Sequence, residues 1–377
     1  MADTAGARVG VVFGGPSPEH DVSVLTGLQA ARALAEASRP VVGLYWSKTG
    51  SWYEVEAGLE ASAFVDGVPS GAQALRLVVS GEEAGFVSAG GRLGRSRAVP
   101  VDVVVNCCHG GPGENGTLQA AFDLAGVAYT GPGVAAAALG MDKLAFFGVA
   151  RAAGLPVLPR AVLSADHVDS IDFEGPYIVK PRFGGSSIGV EVVADRATAA
   201  ARLHANAHLR SGAVIEPYRA DLFDFNLALR TWPDVSVSAI ERPERASQSA
   251  EILGYADKYV GGEGMASAPR QLPAALAPGL ADALRQAARS LAGLVSLRGV
   301  TRVDFLSDGV DQFFVNEVNT IPGSLARYLW VDPVVTFGEL LDGLIAEALA
   351  RPAAQFSAAG ADGTVLRSAG GIAGKLA

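Results

Sequence analysis

Residues 301–324 read TRVDFLSDGVDQFFVNEVNTIPGS, and this stretch decides the fold. Its apolar runs predict two neighbouring strands, over 300–306 and 312–318. Side chains on a strand alternate faces with period 2, so Glu317 and Asn319 share one face, and Asp304 lies in the partner strand. The flanks RVDF and FFVNEVN are too apolar for a merely solvated surface. Three hard oxygen donors from two strands, completed by water and phosphate, suit Mg²⁺ better than Zn²⁺.

Upstream, an alanine-leucine helix is expected over 274–295, and a last helix over about 334–350. Between 177 and 240 the runs YIVK, IGVEVV, AVIEPY, FNLALR and VSVSAI predict antiparallel sheet, with one helix over 196–210 on a face. Within it, residues 180–190 read KPRFGGSSIGV. A lysine ending a strand, followed by Gly-Gly-Ser-Ser-x-Gly, places backbone N–H groups and hydroxyls where they can wrap a polyphosphate. Lys180 adds a point charge to that cradle. A plain hairpin rarely uses so many small polar residues.

The first ~130 residues predict an open parallel α/β layer. Runs at 8–13, 40–45 and 101–106 read as buried strands, and 22–37 and 116–126 as helices. Function in such layers sits beyond the carboxyl ends of the strands, where GGPSPEHDVS (14–23) and HGGPGENGTLQ (109–119) fall. Ser17-Pro18 suits an N-cap and first helical residue. Neither a GxGxxG nor a P-loop fingerprint is present, and an ordinary strand-to-helix turn competes with a functional loop. Glu19 favours function, because an acid in that mouth can hold an ammonium group. Four glycines in eight residues of the second loop exceed what one turn needs. His109 alone reads better as a satisfied strand-end histidine than as a substrate contact.

The chain has 377 residues, 49% apolar and 18% charged, which excludes a disordered chain and allows two or three domains. A net charge of −9 argues against nucleic-acid or anionic-membrane partners. Cys107 and Cys108 are adjacent, a poor disulfide geometry, and are expected to be buried and reduced. His204 and His208 read as a solvated helix face, for want of an acid at ligand spacing. The amino terminus has too short an apolar run for a secretory signal, and no run of about 18 apolar residues follows. A cytoplasmic protein is expected. The alanine-, glycine- and serine-rich tail, 351–377, is expected to be disordered.

The motifs GGPSPEHDVS, HGGPGENGTLQ, YTG (129–131), Met141-Asp142-Lys143, KPRFGGSSIGV, GYADKY (254–259), RVDF and NEVNTIPG together resemble the D-alanine–D-alanine ligase family of ATP-grasp enzymes, over residues 8–350. The resemblance implies an ATP-grasp fold divided at 1–133, 134–215 and 216–350. It implies ATP binding by Lys143, Lys180, Gly185, Ser186, Ser187, Glu216, Asp224, Lys258 and Asn316, with two Mg²⁺ ions, or Mn²⁺, on Asp304, Glu317 and Asn319. Glu19 resembles the ammonium ligand of the first amino acid, and Ser186 with Tyr259 the link to a closing loop. Arg302 and the Gly323 backbone resemble the pair that stabilises the tetrahedral intermediate.

The pattern departs near the second substrate. Tyr328, followed by Leu329, stands where the family has a serine, Pro217 where a lysine is common, and Asp224 where a glutamate is usual. The implied activity is D-alanyl-D-alanine formation for peptidoglycan, by a homodimer acting on small amino acids. A relative with a changed second substrate is the second reading. A nucleotide-binding regulator without catalysis is the third, and intact Arg302, Asp304, Glu317 and Asn319 argue against it.

Overall fold

In the computed structural model, the described residues are 6–89, 96–244, 269–354, 356–369 and 371, and their strands form three sheets. Strand β1 (Val9–Gly14) is buried at every position, as a valine-rich run without polar side chains demands. It pairs in parallel with β2 (Val41–Trp46) and β6 (Val103–Asn106). Beyond β2 the sheet becomes antiparallel through β3 (Trp52–Val55), β4 (Gln73–Val78) and β5 (Gly85–Ser88). The layer is therefore mixed rather than wholly parallel.

Helix α1 (His20–Glu36) packs on β1. Gly27 permits the approach, since a Cβ there would stand 2.4 Å from the Phe13 side chain. The helix begins before the expected Val22, and Ser17 is not its cap. Glu19 holds the N-cap position without a side-chain capping bond. The Ser17 carbonyl instead accepts from the His20 N–H at 3.1 Å, and its hydroxyl from the Glu19 N–H at 3.1 Å. This tight turn delays the helix and points Glu19 into the mouth of the sheet.

After α2 (Gly111–Glu114), α3 (Thr117–Ala125), α4 (Val134–Met141) and α5 (Lys143–Ala152), a second sheet forms. It contains β7 (Ala161–Leu163), β8 (Tyr177–Pro181), β9 (Glu191–Val193) and β10 (Ala213–Pro217), in the order β7-β10-β8-β9. The helix expected over 196–210 ends as α6 (Arg196–Ala205), because the Asn206 side chain caps a separate short turn over Ala207–Leu209. His204 and His208 thus lie on different elements, both exposed.

The third sheet has the order β13-β12-β11-β14-β15, from β11 (Phe223–Arg230), β12 (Ser236–Pro243), β13 (Arg270–Gln271), β14 (Val300–Ser307) and β15 (Phe313–Asn319). The strands expected as one antiparallel sheet over 177–240 are divided between two, and a cleft separates them after β10. The helix Pro278–Leu294 places Leu280, Leu284, Ala287 and Leu291 on one face, packed against Leu227, Leu229 and Phe305. Each buried leucine there contributes about 1.5–3 kcal/mol.

A second core joins β1 and α1, through Val11, Phe13 and Leu34, to Leu340, Leu344 and Ile345 of the helix Phe337–Ala350. Thr336 and Glu339 form a capping box at that helix's start. Leu325 and Leu329 enter the same core, so the turn Gly323–Leu329 is held between the two ends of the chain. The tail, expected to be disordered, carries a short helix, Thr364–Ala369, with no buried residue.

Candidate active site

The cleft between the second and third sheets spans about 920 Å³, part of it open to solvent, and is lined by Lys143, Lys180, Gly185, Ser187, Glu216, Asp224, Asp304, Asn316 and Glu317. Its outer walls are apolar: Leu158, Ile178, Val190, Leu222 and Leu306. Strand β8 delivers Lys180, whose Nζ donates to Glu216 Oε2 at 3.1 Å and Asn316 Oδ1 at 3.3 Å. Arg160 Nε stands 2.8 Å from Glu216 Oε1, an ion pair too oblique to count as a hydrogen bond. Glu216 is 1% exposed. Burial alone would raise its carboxyl, but the charges of Arg160 and Lys180 outweigh that and hold it below its ordinary value. Burial pushes the Lys180 ammonium down, against the pull of Glu216.

Lys143 opens α5, whose N-cap is Asp142. The Asp142 carboxylate accepts from the Leu144 and Ala145 N–H groups and from both arms of Arg182, at 2.8 and 2.6 Å. That clamp sets the helix against the end of β8. Lys143 Nζ donates to the Gly184 carbonyl and lies 3.5 Å from Glu317 Oε2.

A second cleft, about 600 Å³, holds Glu19, Glu114, Ser186, Arg302, Asn319 and Gly323. Lys143, Gly184, Gly185 and Glu317 line both clefts, so the two meet there. The Ser186 hydroxyl donates to Glu19 Oε1, joining the 180–190 loop to the start of α1. Arg302 grips Asp304 through Nε and Nη2, at 2.7 and 2.8 Å, and Asn319 Nδ2 donates to the same carboxylate at 2.9 Å. Strand register explains the grouping: Asp304 faces Glu317, and Arg302 faces Asn319.

Both loops carry backbone strain. Ser186 and Ser187 have φ of 54° and 59°, and Ser324, Leu325 and Ala326 have φ near 50° in succession. Left-handed conformations cost side-chain-bearing residues about 1–2 kcal/mol each, and such strain clusters at functional sites. Tyr328 and Leu329 follow this run in the same turn. Tyr328 packs under the Arg270 guanidinium, 4.5 Å from ring centre, with its hydroxyl 3.5 Å from Glu241 Oε1. Burial pushes its phenol above the ordinary value. Leu329, expected in a substrate pocket, is fully buried in the core. Lys258 and Tyr259 lie outside the described residues.

A family model described as D-ala D-ala ligase N-terminus matches residues 8–132, and one described as D-ala D-ala ligase C-terminus matches 149–346. The chain belongs to the D-alanine–D-alanine ligase family. A D-alanine–D-alanine ligase of Bradyrhizobium sp. strain BTAi1 is 32% identical over 358 residues, covering 92% of this chain and 96% of that relative. The solved D-alanine–D-alanine ligase of Coxiella burnetii superposes with a TM-score of 0.74 at 22% identity, over 92% of this chain and 95% of that one. The VanG D-Ala:D-Ser ligase of Enterococcus faecalis gives 0.72 at 23%, over 91% and 99%. These likenesses carry the ATP-grasp fold, which this ligase-family chain shares with them.

The donor set of this D-alanine–D-alanine ligase family member fits a hard divalent cation. Asp304 and Glu317 are cross-strand partners, with Asn319 on the same face, and all three offer oxygen. Among the described residues no group of three His, Cys, Asp or Glu side chains assembles a metal site by itself. Arg302 and Lys143 offset the charges of the two carboxylates, and the neutral Asn319 amide donates a hydrogen bond to Asp304.

Residues missed in the sequence complete the scaffold. Arg160, Thr26, Glu241 and Glu114 carry no local signal, since each partners a residue remote in the chain. His109, read as satisfied, is so. Its Nδ1 must donate to the Ile321 carbonyl at 2.7 Å, which leaves Nε2 to accept from the Thr26 hydroxyl at 2.7 Å. Thr26 Oγ1 in turn accepts from the Ser324 N–H at 3.0 Å. Burial pushes the imidazole down to about 4. A depressed histidine pKa gives stability that is complete above the unfolded value of about 6.5 and is lost as pH falls towards 4. The expected loss from this group is about 3 kcal/mol. Denaturant titrations of wild type and His109→Gln at pH 7 and pH 5 check it: the wild type should lose more than the variant.

Proposed function

We propose that this chain joins two D-alanine molecules into D-alanyl-D-alanine for peptidoglycan, consuming ATP and releasing ADP and phosphate. One observation carries this reading: two clefts, one holding Lys143 and Lys180 between apolar walls and one holding Glu19, meet at Lys143 and Glu317. In this reading a terminal phosphate at that junction meets a carboxylate whose ammonium lies at Glu19.

Adenine enters the apolar end beside Glu216 and Pro217, and the ribose lies near Asp224. Lys143, Lys180, Gly185, Ser187, Asn316 and, from its motif, Lys258 hold the phosphates. Asp304, Glu317 and Asn319 hold the Mg²⁺ ions, for which Mn²⁺ can substitute. When bound, these ions neutralise charge developing on the phosphoryl oxygens. The first D-alanine's carboxylate attacks the γ-phosphorus; the new O–P bond forms as the bond to ADP breaks. Positioning and charge neutralisation by the two lysines dominate this step. The second amino acid's amine then attacks the acyl carbonyl, Arg302 and the Gly323 N–H steady the oxyanion, and phosphate leaves as the amide forms. Ser186 and Tyr259 couple Glu19 to a loop that shuts out water.

The cytoplasm supplies ATP and free amino acids, so we place the reaction there, in a homodimer. No helix among the described residues is long and apolar enough to cross a membrane. A panel of D- and L-amino acids in both positions, read by ADP release and product mass, tests the proposal. D-alanine alone should give the dipeptide; no ADP with any pair would sink the ligase reading. The Arg270–Tyr328–Glu241 contact favours a second reading, a changed second substrate, which the same panel would reveal as a mixed product. Replacing Glu19 by Gln should raise KM for the first amino acid at least tenfold and leave ATP affinity nearly unchanged. Equal loss of both would mean that Glu19 serves the nucleotide.

A further inference from the structure

Glu114 lies in the second cleft, 8% exposed, and neither the motifs nor the proposed reaction gives it a task. Its carboxylate accepts three hydrogen bonds from two sides. Oε2 takes the Gly110 N–H at 2.8 Å. Oε1 takes the Ile321 N–H at 2.9 Å and the Thr320 hydroxyl at 3.2 Å. Each side matters to the chemistry. Gly110 touches the Glu19 subsite so closely that a Cβ there would stand 2.2 Å from Glu19 Oε2. Thr320 and Ile321 lead directly into Gly323 and the strained run 324–326. His109 holds the other end of the same residue, through the Ile321 carbonyl. Both peptide groups of Ile321 are therefore fixed by the 109–114 loop.

We propose that Glu114 is a positioning residue, which sets the spacing between the Glu19 subsite and the Gly323 turn so that the second amine, rather than water, reaches the activated carbonyl. The inference rests on the ligase reading of the clefts. Only a carboxylate serves at this position. A glutamine keeps one acceptor oxygen for Thr320 and Ile321 but turns an NH₂ towards the Gly110 N–H, where an acceptor is needed. A buried carboxylate facing Glu19 is costly, since burial first and the Glu19 charge second push it up to about 7.

The chemistry supplies a readout that stability does not move. Attack by the amine yields amide and phosphate; attack by water on the same carbonyl returns the carboxylate and phosphate, so ADP forms without dipeptide. A misplacement of about 1 Å at a reacting centre costs on the order of 10²-fold in rate. Glu114→Gln is therefore expected to lower dipeptide formation about 10–100-fold, to lower dipeptide per ADP by half or more, and to leave KM for ATP within about twofold. Thr320→Val, which removes one donor, should move the ratio in the same direction by less.

The experiment measures ADP and dipeptide together for the full-length wild type, Glu114→Gln and Thr320→Val, with D-alanine, ATP and Mg²⁺. A wild type without dipeptide from D-alanine refutes the D-alanyl-D-alanine reading, and the variants are then compared on the amino-acid pair that the panel identifies; a wild type that releases no ADP with any pair refutes the ligase reading itself. Given an active wild type, wild-type kcat and wild-type dipeptide per ADP in a folded Glu114→Gln overturn the positioning role. Should Glu114→Gln fail to fold, Thr320→Val decides: a lowered ratio supports the proposal, and an unchanged one overturns it.

Discussion

Replacing Arg302 by Gln is expected to lower kcat for dipeptide formation by about 10²–10³-fold while ADP release persists. Arg302 is 6% exposed, and its guanidinium is fixed by two hydrogen bonds to Asp304. A donor held in advance costs no reorganisation when charge develops on the carbonyl oxygen, which is why such groups weigh heavily in a dry site. The variant loses that donor at the second step. In the proposed reaction the phosphoryl step rests instead on Lys143 and Lys180, which stay in place. Acyl phosphate then accumulates and hydrolyses, and ADP outruns dipeptide. The check is parallel assay of ADP and dipeptide, with calorimetry of ADP binding as the control for Asp304. ADP and dipeptide falling together, one to one, would place Arg302 in the phosphoryl step instead.

Strands β14 and β15 were legible because a continuous apolar run marks a buried strand, and carboxylates set into such a run need a cation to face. Period 2 correctly grouped Glu317 with Asn319, yet by the same rule Asn316 faces away. The register shows why it does not: Asp304 pairs with Glu317 but Phe305 pairs with Val315, leaving Asn316 as the extra residue of a bulge. A bulge re-aims one side chain, so Asn316 also reaches the cleft and Lys180. Strands β3 to β5 escaped for the opposite reason. They make up the antiparallel side of the first sheet: β3 and β5 are only four residues long, and β4, partly exposed, reads QALRLV without an apolar run.

The scaffold behind the site was the least legible part. Thr26, His109, Ile321 and Ser324 form one relay across the whole chain, and Glu114 ties the same turn from another side. None of these partners is local, so neither period nor spacing could pair them. The turn over 324–326 was hidden as well. Ser-Leu-Ala has no glycine, yet it takes the left-handed conformation, because Leu325 is drawn into the core with Leu329 and the Ser324 N–H is held by Thr26. Leu329, spaced as if to line a pocket, is thereby buried in the core.

Glu216→Gln should be the most destabilising single change in the ATP cleft, by about 3–5 kcal/mol, and Lys180→Met should cost less stability but more activity. Glu216 stands between two buried cations, Arg160 and Lys180. Removing its charge leaves both without their shared partner, and an uncompensated buried charge is what makes a broken internal ion pair expensive. Lys180→Met instead removes one cation whose charged form burial already disfavours, and a methionine chain fills similar space. Glu216 then keeps Arg160. The polyphosphate, however, loses a point charge that no other group at that position replaces, so kcat should fall about 10²-fold or more. Urea unfolding of both variants, beside steady-state kinetics with varied ATP, separates the two orders. A Lys180→Met protein less stable than Glu216→Gln would mean that Lys180, rather than Glu216, anchors the cluster.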